Sequence, residues 1–299
     1  MTAPINHEHD LETTAAFWDQ MTAQYCKEGE SANRTEWQAH PAAARQRRRL
    51  LGATDACEWF SMRLPGRVDR AIGAGCGTAT FELKLLKSGA VGHFDLCDVS
   101  GTSLESAAAR AEQLGVADRI TLRCGDFLEA ESGDYGLVTF VSSLHHAVDV
   151  EATVQFAHDI LRPGGFLYAD EYVGPRRFDF PPEHSDLVKV LYRSLARELR
   201  CQWPELPQPD PADVAAADPT EAVQSDLILP ALYAAFGDVE LAPIYGAMAF
   251  MLWWGLDHDA LWDTQAGREF AEVLLALDTA LGASGAVPPY FTLIKTQRK

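Results

Sequence analysis

The chain has 299 residues, of which 47% are hydrophobic and 23% charged, which is the balance of a folded enzyme and not of a disordered chain. Its formal net charge of −18 opposes the approach of a phosphate polyanion, so nucleic acid is not expected as a partner. A late apolar stretch, 247–256, is shorter than the about 20 residues that cross a bilayer. We expect a buried helix there and no membrane partner.

The cysteines and the first residues predict the compartment. The six cysteines include no Cys-x-x-Cys pair and no zinc-like spacing with histidine, so we expect reduced thiols and a cytoplasmic location. Residues 1–10 lack the pattern of a secretory signal. No group of acidic residues and histidines has metal-ligand spacing, so we expect no metal.

The predicted elements begin with two helices, over 12–25, with an aromatic face, and over 42–63, with the basic run 45–49 on its solvated face. From residue 67, short apolar runs alternate with helical periods, which predicts βαβ units and a parallel sheet. The strands are predicted at 67–72, 93–97, 119–123, 137–142, 165–169, 239–243 and 289–296, and the helices at 78–87, 103–114, 150–161, 185–199 and 225–236.

The pattern predicts an α/β protein with a Rossmann-like, mostly parallel seven-stranded sheet, helices on both faces and a helical cap. We divide it into an N-terminal helical lid (1–66), a nucleotide-binding core (67–171), a helical and loop cap insertion (172–225) with an irregular Pro-rich stretch at 203–219, and a C-terminal part of the sheet with a helical insertion (226–299). A homodimer is left open.

A glycine-rich turn, Gly73-Ala74-Gly75-Cys76-Gly77, stands between the first strand and a helix, where glycines let backbone approach a nucleotide. A dinucleotide fingerprint would require glycine at position 78, which is Thr78 here. The turn therefore favours a nucleotide ligand other than NAD or FAD, and a purely structural turn is the alternative.

Acidic residues end the next two strands. Asp98 can accept hydrogen bonds from ribose hydroxyls, or it can cap the following helix, a role that Ser100 and Thr102 fill equally well. Asp126 can accept from an adenine amine while Phe127 packs on the purine. The alternative for this second pair is a turn aspartate beside a core phenylalanine.

Residues 68–171 resemble the class I S-adenosylmethionine-dependent methyltransferases in the order of their motifs. These motifs are, in chain order, GAGCGTAT, the strand ending in Asp98, DRITLRCGDF, YGLVTFVSSLHHAVD and LRPGGFLYADEY. The resemblance implies S-adenosylmethionine as cofactor and a small-molecule acceptor. It also implies that helix 12–25, with Trp18, closes over the cofactor. The implied cofactor-binding residues are Tyr25, Gly73, Ala74, Gly75, Gly77, Asp98, Val99, Asp126, Phe127 and Ser142.

One position departs from that family. The residue two positions before the first glycine is usually acidic, but here it is Ala71. Because strand residues alternate between faces, Asp69 lies on the same side as Ala71. Either Asp69 substitutes for the missing carboxylate, or the methionine amino group is held differently.

His145, His146 and Glu171 are the candidate catalytic bases, because they follow strands at the carboxyl edge where ligands bind. A structural role is the alternative for each. For Arg176 and Arg177 we expect either that they anchor an acidic substrate or that they lie on the surface. For the aromatic residues Tyr245, Trp253 and Trp254 we expect either that they line an acceptor pocket or that they belong to the core.

The expected function is methylation of a small molecule, such as a secondary metabolite, at O, N or C. The alternatives are a repurposed methyltransferase fold with another activity, a cofactor-binding scaffold and, less favoured because of Thr78, a nicotinamide oxidoreductase.

Overall fold

The computed structural model describes residues 7–28, 34–130 and 134–299. In these ranges a seven-stranded sheet has the strand order β3-β2-β1-β4-β5-β7-β6, and β7 alone runs antiparallel to its neighbours. The predicted fold class is confirmed. The strands are β1 Val68–Ala74, β2 Val91–Asp98, β3 Ile120–Cys124, β4 Tyr135–Val141, β5 Leu161–Tyr172, β6 Val239–Tyr245 and β7 Phe291–Gln297.

Helices cover both faces of the sheet because its central strands alternate apolar side chains between two cores. Ala71 and Leu137 join one core, whereas their neighbours Ile72 and Val138 join the other. The helices are α1 His7–Glu28, α2 Pro41–Leu51, α3 Ala56–Ser61, α4 Thr80–Ser88, α5 Gly101–Leu114, α6 Val150–Ile160, α7 Pro182–Ser194, α8 Pro211–Ala217, α9 Ile228–Phe236, α10 Ala247–Trp253, α11 His258–Asp263 and α12 Gln265–Ala283.

The helix predicted over 42–63 is two helices. Gly52, in a left-handed conformation (φ 61°), ends α2, and Asp55 caps α3 by accepting a hydrogen bond from the Glu58 N–H, 2.9 Å. Gly52 thus acts as a C-cap and Asp55 as an N-cap, the two residue types that stop and start helices.

The basic run in α2 is not wholly a solvated face. Arg48 and Arg49 are exposed, but Arg47 turns inward and pairs with the largely buried Asp170 near the end of β5. Burial raises the pKa of Asp170, and the adjacent guanidinium opposes that rise. Arg47 therefore neutralises a carboxylate of the sheet.

The cap is more helical than its composition predicts. The Pro-rich stretch contains α8, which starts with Asp210 as N-cap and Pro211 in the first turn. The helix predicted over 185–199 ends at Ser194 in α7. Beyond the cap, where a helical insertion was expected within 226–299, the structure has α11 and α12, whose bounds were not predicted. The region boundaries at 66, 171 and 225 stay predictions.

The apolar stretch 247–256 holds α10, a seven-residue helix with six buried residues. Across the described residues, no helix combines the length and apolar character that crossing a membrane requires.

Candidate active site

The glycine turn bends between β1 and α4 with Gly75 and Gly77 in the left-handed region (φ 58° and 52°). The turn is tied to the end of β2: Cys76 N–H donates to the Cys97 carbonyl, 3.0 Å, and Gly77 N–H donates to Oδ2 of Asp98, 2.7 Å. Two predicted cofactor-binding features are thereby brought together at the carboxyl edge.

Asp98 does not cap α5. Ser100 does, by accepting from the Ser103 N–H at 3.0 Å, while Oδ1 of Asp98 accepts from the Ser100 N–H at 2.8 Å. Burial raises the pKa of Asp98, and the two backbone donors partly offset the rise. The carboxylate is held rigidly beside the turn, and each oxygen retains a lone pair for a further donor.

Gly75→Ala tests the turn. A Cβ at residue 75 would lie 2.8 Å from Cβ of Ser143, and the left-handed backbone strains any side chain. We expect a loss of about 2 kcal/mol in the free energy of unfolding, measured with urea. Gly77→Ala is the matched control, since it meets nothing within 4 Å and should cost about 1 kcal/mol. Equal losses in both variants would contradict the contact with Ser143.

Asp126 and Phe127 follow β3 at the same edge. Oδ1 of Asp126 accepts from the Leu128 N–H at 2.9 Å and caps a single turn of 3₁₀ helix. Phe127 is buried, with its ring edge-on to Phe140 and Phe156 in the core. The structure thus gives this pair a turn-and-core role, and its adenine-binding role stays a prediction.

Helix α1 lies across this edge. Oδ1 of Asp19 accepts hydrogen bonds from the Ser100 hydroxyl, 2.6 Å, and the Thr102 N–H, 3.0 Å, at the start of α5. One residue earlier, the Trp18 ring meets His146 edge-on, with centroids 5.1 Å apart. The helix therefore bridges the predicted cofactor residues and the histidine pair. Tyr25, farther along α1, is 44% exposed.

Glu82 is a candidate that the sequence patterns did not reveal. It is 1% exposed in the first turn of α4, its Oε1 accepts from the Thr139 hydroxyl at 2.8 Å, and its Cγ would lie 3.1 Å from a Cβ at Gly73. Burial raises its pKa to about 7. The feature of the sequence that could have pointed to Glu82 is a single carboxylate among the mainly apolar residues 81–86.

Asp69 does not replace the acidic residue missing at Ala71. It is exposed near the start of β1, four residues before Gly73, which corresponds to about 13 Å along a strand. Glu82 is the carboxylate that the fold brings next to the first glycine of the turn.

The end of β4 is strained and tied to β1. Ser142 adopts a left-handed conformation (φ 52°), which is uncommon for a serine, and its N–H donates to the Asp170 carbonyl at 2.9 Å. The Ser143 hydroxyl donates to the Ala74 carbonyl at 2.7 Å. Strain of this kind is concentrated at ligand sites.

Glu171 holds the histidine loop. Its Oε1 accepts from the N–H groups of Ser143 and Leu144, at 2.8 and 2.7 Å, and its Oε2 accepts from Nδ1 of His145 at 2.6 Å. The side chain is buried. We expected Glu171 to be a catalytic base, but both of its carboxylate oxygens accept hydrogen bonds from the histidine loop. Glu171 is therefore a positioning residue.

The pKa values of the two histidines are shifted in opposite directions. Burial alone would lower the pKa of His145, but the Glu171 carboxylate outweighs it and raises the pKa. Burial, reinforced by the charge on His145, lowers the pKa of His146 well below its usual value. His146 is therefore the neutral imidazole of the pair and the better proton acceptor.

The tautomer of His146 follows from its neighbours. The Thr220 hydroxyl donates to Oδ1 of Asp218 at 2.7 Å, so its oxygen accepts from Nδ1 of His146, 3.1 Å away. The lone pair of the neutral ring then lies on Nε2.

A largely apolar cavity of about 570 Å³ adjoins the histidines through Asp218 and Glu221. Its aromatic lining residues are Phe178, Trp203 and Trp254, and all of its lining residues except Trp254 belong to the cap. Trp253 is buried core instead, and Tyr245 packs on Gly282 of α12. Of the three predicted pocket aromatics, Trp254 alone lines this cavity.

Arg176 and Arg177 both bind other parts of the protein. Arg176 pairs with Asp226 at the surface, 2.9 Å. Arg177 donates to the carbonyls of Asp218, Pro219 and Glu221, at 3.1, 2.6 and 2.9 Å. Arg177 thereby fixes the loop that carries Asp218 and Glu221.

A family model described as a methyltransferase domain matches residues 71–167. These residues run from β1 into β5 of the sheet described above. Residues 71–167 therefore form a methyltransferase domain. The domain contains the glycine turn, Glu82, Asp98, Asp126 and both histidines, whereas α1, Glu171 and the cap lie outside the matched residues.

Relatives of the methyltransferase domain are distant. A stretch of 129 residues is 28% identical to the hybrid PKS-NRPS synthetase apdA of Emericella nidulans, covering 41% of this chain and 3% of that protein. Geranyl diphosphate methyltransferase in complex with SAM is 15% identical, with 81% of this chain and 82% of that chain covered and a TM-score of 0.49. The [4+2]-cyclase SpnF is 17% identical, with 79% and 76% covered and a TM-score of 0.44.

Proposed function

We propose that this chain binds S-adenosylmethionine and transfers its methyl group to a small, largely apolar molecule. One observation carries the proposal: the glycine turn, Asp98 and the histidine pair lie along a single carboxyl edge of the methyltransferase domain, with the apolar cavity beside them. Ligands of open α/β sheets bind at this edge.

The residues present fit the cofactor. Asp98 offers a buried carboxylate to the ribose hydroxyls, and the space beside Gly77 is open. Glu82 offers a second carboxylate, next to Gly73, and we assign it to the methionine ammonium in place of the acid absent at Ala71. When bound, S-adenosylmethionine supplies a methyl group activated on its sulfonium.

The protein's main contribution is alignment. An in-line transfer requires the acceptor nucleophile to be held opposite the leaving sulfur, and a rigid edge with a walled cavity provides that orientation. Neutral His146 accepts a proton from an acceptor hydroxyl or amine, and His145, held by its hydrogen bond to Glu171, keeps the loop in place.

The cavity indicates the acceptor class. Its lining is mainly aromatic and aliphatic, and the ionisable groups in it are Asp213, Asp218 and Glu221. Acidic groups repel an anionic acceptor, so a neutral or cationic one is favoured. The match to part of a hybrid PKS-NRPS synthetase supports a natural-product acceptor.

Calorimetry tests the cofactor. We expect S-adenosylmethionine and S-adenosylhomocysteine to bind and NAD to release no heat of binding. The acceptor is then sought by incubating the protein with methyl-labelled cofactor and fractionated cell extract. Label that remains entirely in the cofactor, despite tight binding, would favour a cofactor-binding scaffold or a repurposed fold.

Asp19→Ala tests the lid. Removing the carboxylate takes away two hydrogen bonds between α1 and the start of α5 and leaves the one between the Thr22 and Ser103 hydroxyls, 2.7 Å. We expect roughly tenfold weaker cofactor binding and faster hydrogen exchange in α1. Glu12→Ala, an exposed change in the same helix, is the control. Unchanged exchange in the Asp19 variant would show that α1 is held by other contacts.

A further inference from the structure

Among the described residues, His145, His146 and Glu221 each offer one ligand atom, and these atoms lie within 4.8 Å of one another. The two imidazole rings are 4.2 Å apart between centroids, and Nε2 of His145 is 3.7 Å from Oε1 of Glu221. Donor atoms about 2.1 Å from one tetrahedrally coordinated ion are about 3.4 Å apart, so the widest of these separations must close by up to about 1.4 Å when an ion binds.

The imidazoles are oriented as metal ligands are. A ligating histidine usually donates its second ring N–H to a carboxylate or another oxygen, which fixes the ring and its tautomer. Nδ1 of His145 donates to Glu171, and Nδ1 of His146 donates to Thr220, 2.6 and 3.1 Å away. Both rings therefore present Nε2 as the remaining donor nitrogen.

The carboxylate is held by an equally ordered loop. The Arg177 guanidinium binds three carbonyls of residues 218–221, and Asp218 accepts from both the N–H and the hydroxyl of Thr220, each at 2.7 Å. Arg177 and the adjacent Phe178 take up left-handed backbone (φ 52° and 55°) to make this clamp. Such strain in two successive non-glycine residues is typical of a functional site.

We propose that His145, His146 and Glu221 form a binding site for a divalent transition-metal ion. Two imidazole nitrogens and one carboxylate oxygen suit Zn²⁺, Fe²⁺, Co²⁺ or Mn²⁺ better than Mg²⁺ or Ca²⁺, which prefer oxygen ligands only. The proposal replaces our expectation of a metal-free site, because the third ligand comes from the cap, 75 residues beyond His146 in the chain. No short-range spacing of histidines and acidic residues in the sequence predicts this site.

Three protein ligands leave coordination positions open, and Glu221 also lines the apolar cavity. In the metal-bound form an oxygen of the acceptor would occupy an open position, and the ion, rather than His146, would lower the pKa of that oxygen. This role rests on the proposed methyl transfer, whereas metal binding itself does not.

The test uses the full chain, stripped of metal by a chelator, and no cofactor or acceptor. Titration with Co²⁺ is expected to give visible absorption bands of a nitrogen- and oxygen-ligated ion, and Zn²⁺ is expected to displace it, as measured by calorimetry. Glu221→Gln and His146→Asn should each weaken Co²⁺ binding at least tenfold. His158→Asn is the matched control, because His158 is also a half-buried histidine beside a carboxylate, Asp159, but it lies on α6 and outside the proposed site.

Substitution of the positioning residue Glu171 gives a second test of metal binding. Glu171→Gln should weaken Co²⁺ binding by about 10- to 100-fold, as loss of an orienting carboxylate does. Because this variant removes a buried loop anchor, thermal unfolding is followed in parallel, and Glu221→Gln, whose side chain is 25% exposed in the cap, decides the outcome if Glu171→Gln does not fold.

Absence of Co²⁺ and Zn²⁺ binding, or equal binding by wild type, Glu221→Gln and His146→Asn, would overturn the metal site. Cofactor binding measured on the same sample separates this failure from that of the proposed function. If the protein binds S-adenosylmethionine but no metal, only the metal-site proposal is wrong. If it binds metal but no S-adenosylmethionine, only the methyltransferase proposal is wrong.

Discussion

Glu82→Gln is expected to stabilise the protein at pH 8 while weakening its binding of S-adenosylmethionine. Burial raises the pKa of Glu82 from 4.5 to about 7, so ionised Glu82 opposes folding. A difference of this size corresponds to about 3 kcal/mol, which the neutral glutamine recovers. Few polar substitutions in a core increase stability, so the sign is diagnostic.

The pH dependence follows from the same shift. A carboxyl whose folded pKa lies above its unfolded pKa loses stability as the pH rises from the unfolded value through the folded value, here from 4.5 to about 7. The gain in Glu82→Gln should therefore fall to about 1 kcal/mol or less near pH 5. Urea unfolding at pH 5 and pH 8 measures it.

Cofactor binding should change in the opposite direction. A carboxylate hydrogen-bonded to an ammonium contributes about 1.5–3 kcal/mol, so we expect the variant to bind S-adenosylmethionine about 10- to 100-fold more weakly. Wild-type affinity should rise as the pH increases through about 7 while Glu82 ionises, and the variant should lack that rise.

Glu105→Gln, an exposed change on α5, is the control and should alter neither quantity. If Glu82→Gln gains stability but keeps full affinity, Glu82 is a buried acid without a ligand, and the methionine end is held by another group.

Asp98→Asn is expected to weaken binding of S-adenosylhomocysteine by about 100-fold, as measured by calorimetry. One carboxylate oxygen becomes an NH₂ group, which cannot accept from a ribose hydroxyl and meets an N–H of Gly77 or Ser100 head-on. Losing charge-assisted hydrogen bonds costs about 3 kcal/mol at most, which corresponds to about that factor.

The substitution should also destabilise the glycine turn, so the free energy of unfolding is measured with urea alongside the binding. We expect a loss of about 1–3 kcal/mol, since one buried N–H is left without an acceptor. Asp118→Asn, exposed just before β3, is the control. A loss of stability with unchanged affinity would mean that Asp98 serves the turn and not a ribose.

The order of strands and helices could be predicted because local patterns determine it. Apolar runs bounded by turns gave all seven strands, most to within two or three residues, and Gly75 and Gly77 occupy the left-handed conformation that their turn requires. The exception among the strand starts is β5, which begins at Leu161 with an irregular register opposite β4. The helix over 42–63 was wrong because Gly52 and Asp55 outweigh its periodicity.

Charged side chains were the main source of error, because burial and pairing depend on partners distant in sequence. Arg47 was placed on a solvated face and instead pairs with Asp170, and Glu171 was taken for a base although three hydrogen bonds engage it in the loop. Arg177 clamps a loop more than 40 residues away. None of these partners lies within one helix or strand period.

Local sequence patterns are enough to predict the sheet, the glycine turn and the placement of Asp98 and the histidines at strand ends, since each depends on residues close together in the chain. Which carboxylates lie beside these residues depends on the packing of distant segments. Packing of α4 on the sheet brings Glu82 to Gly73 and to the Thr139 hydroxyl, and the cap brings Glu221 to His145, because contacts across layers are set by how elements pack and not by their periodicity.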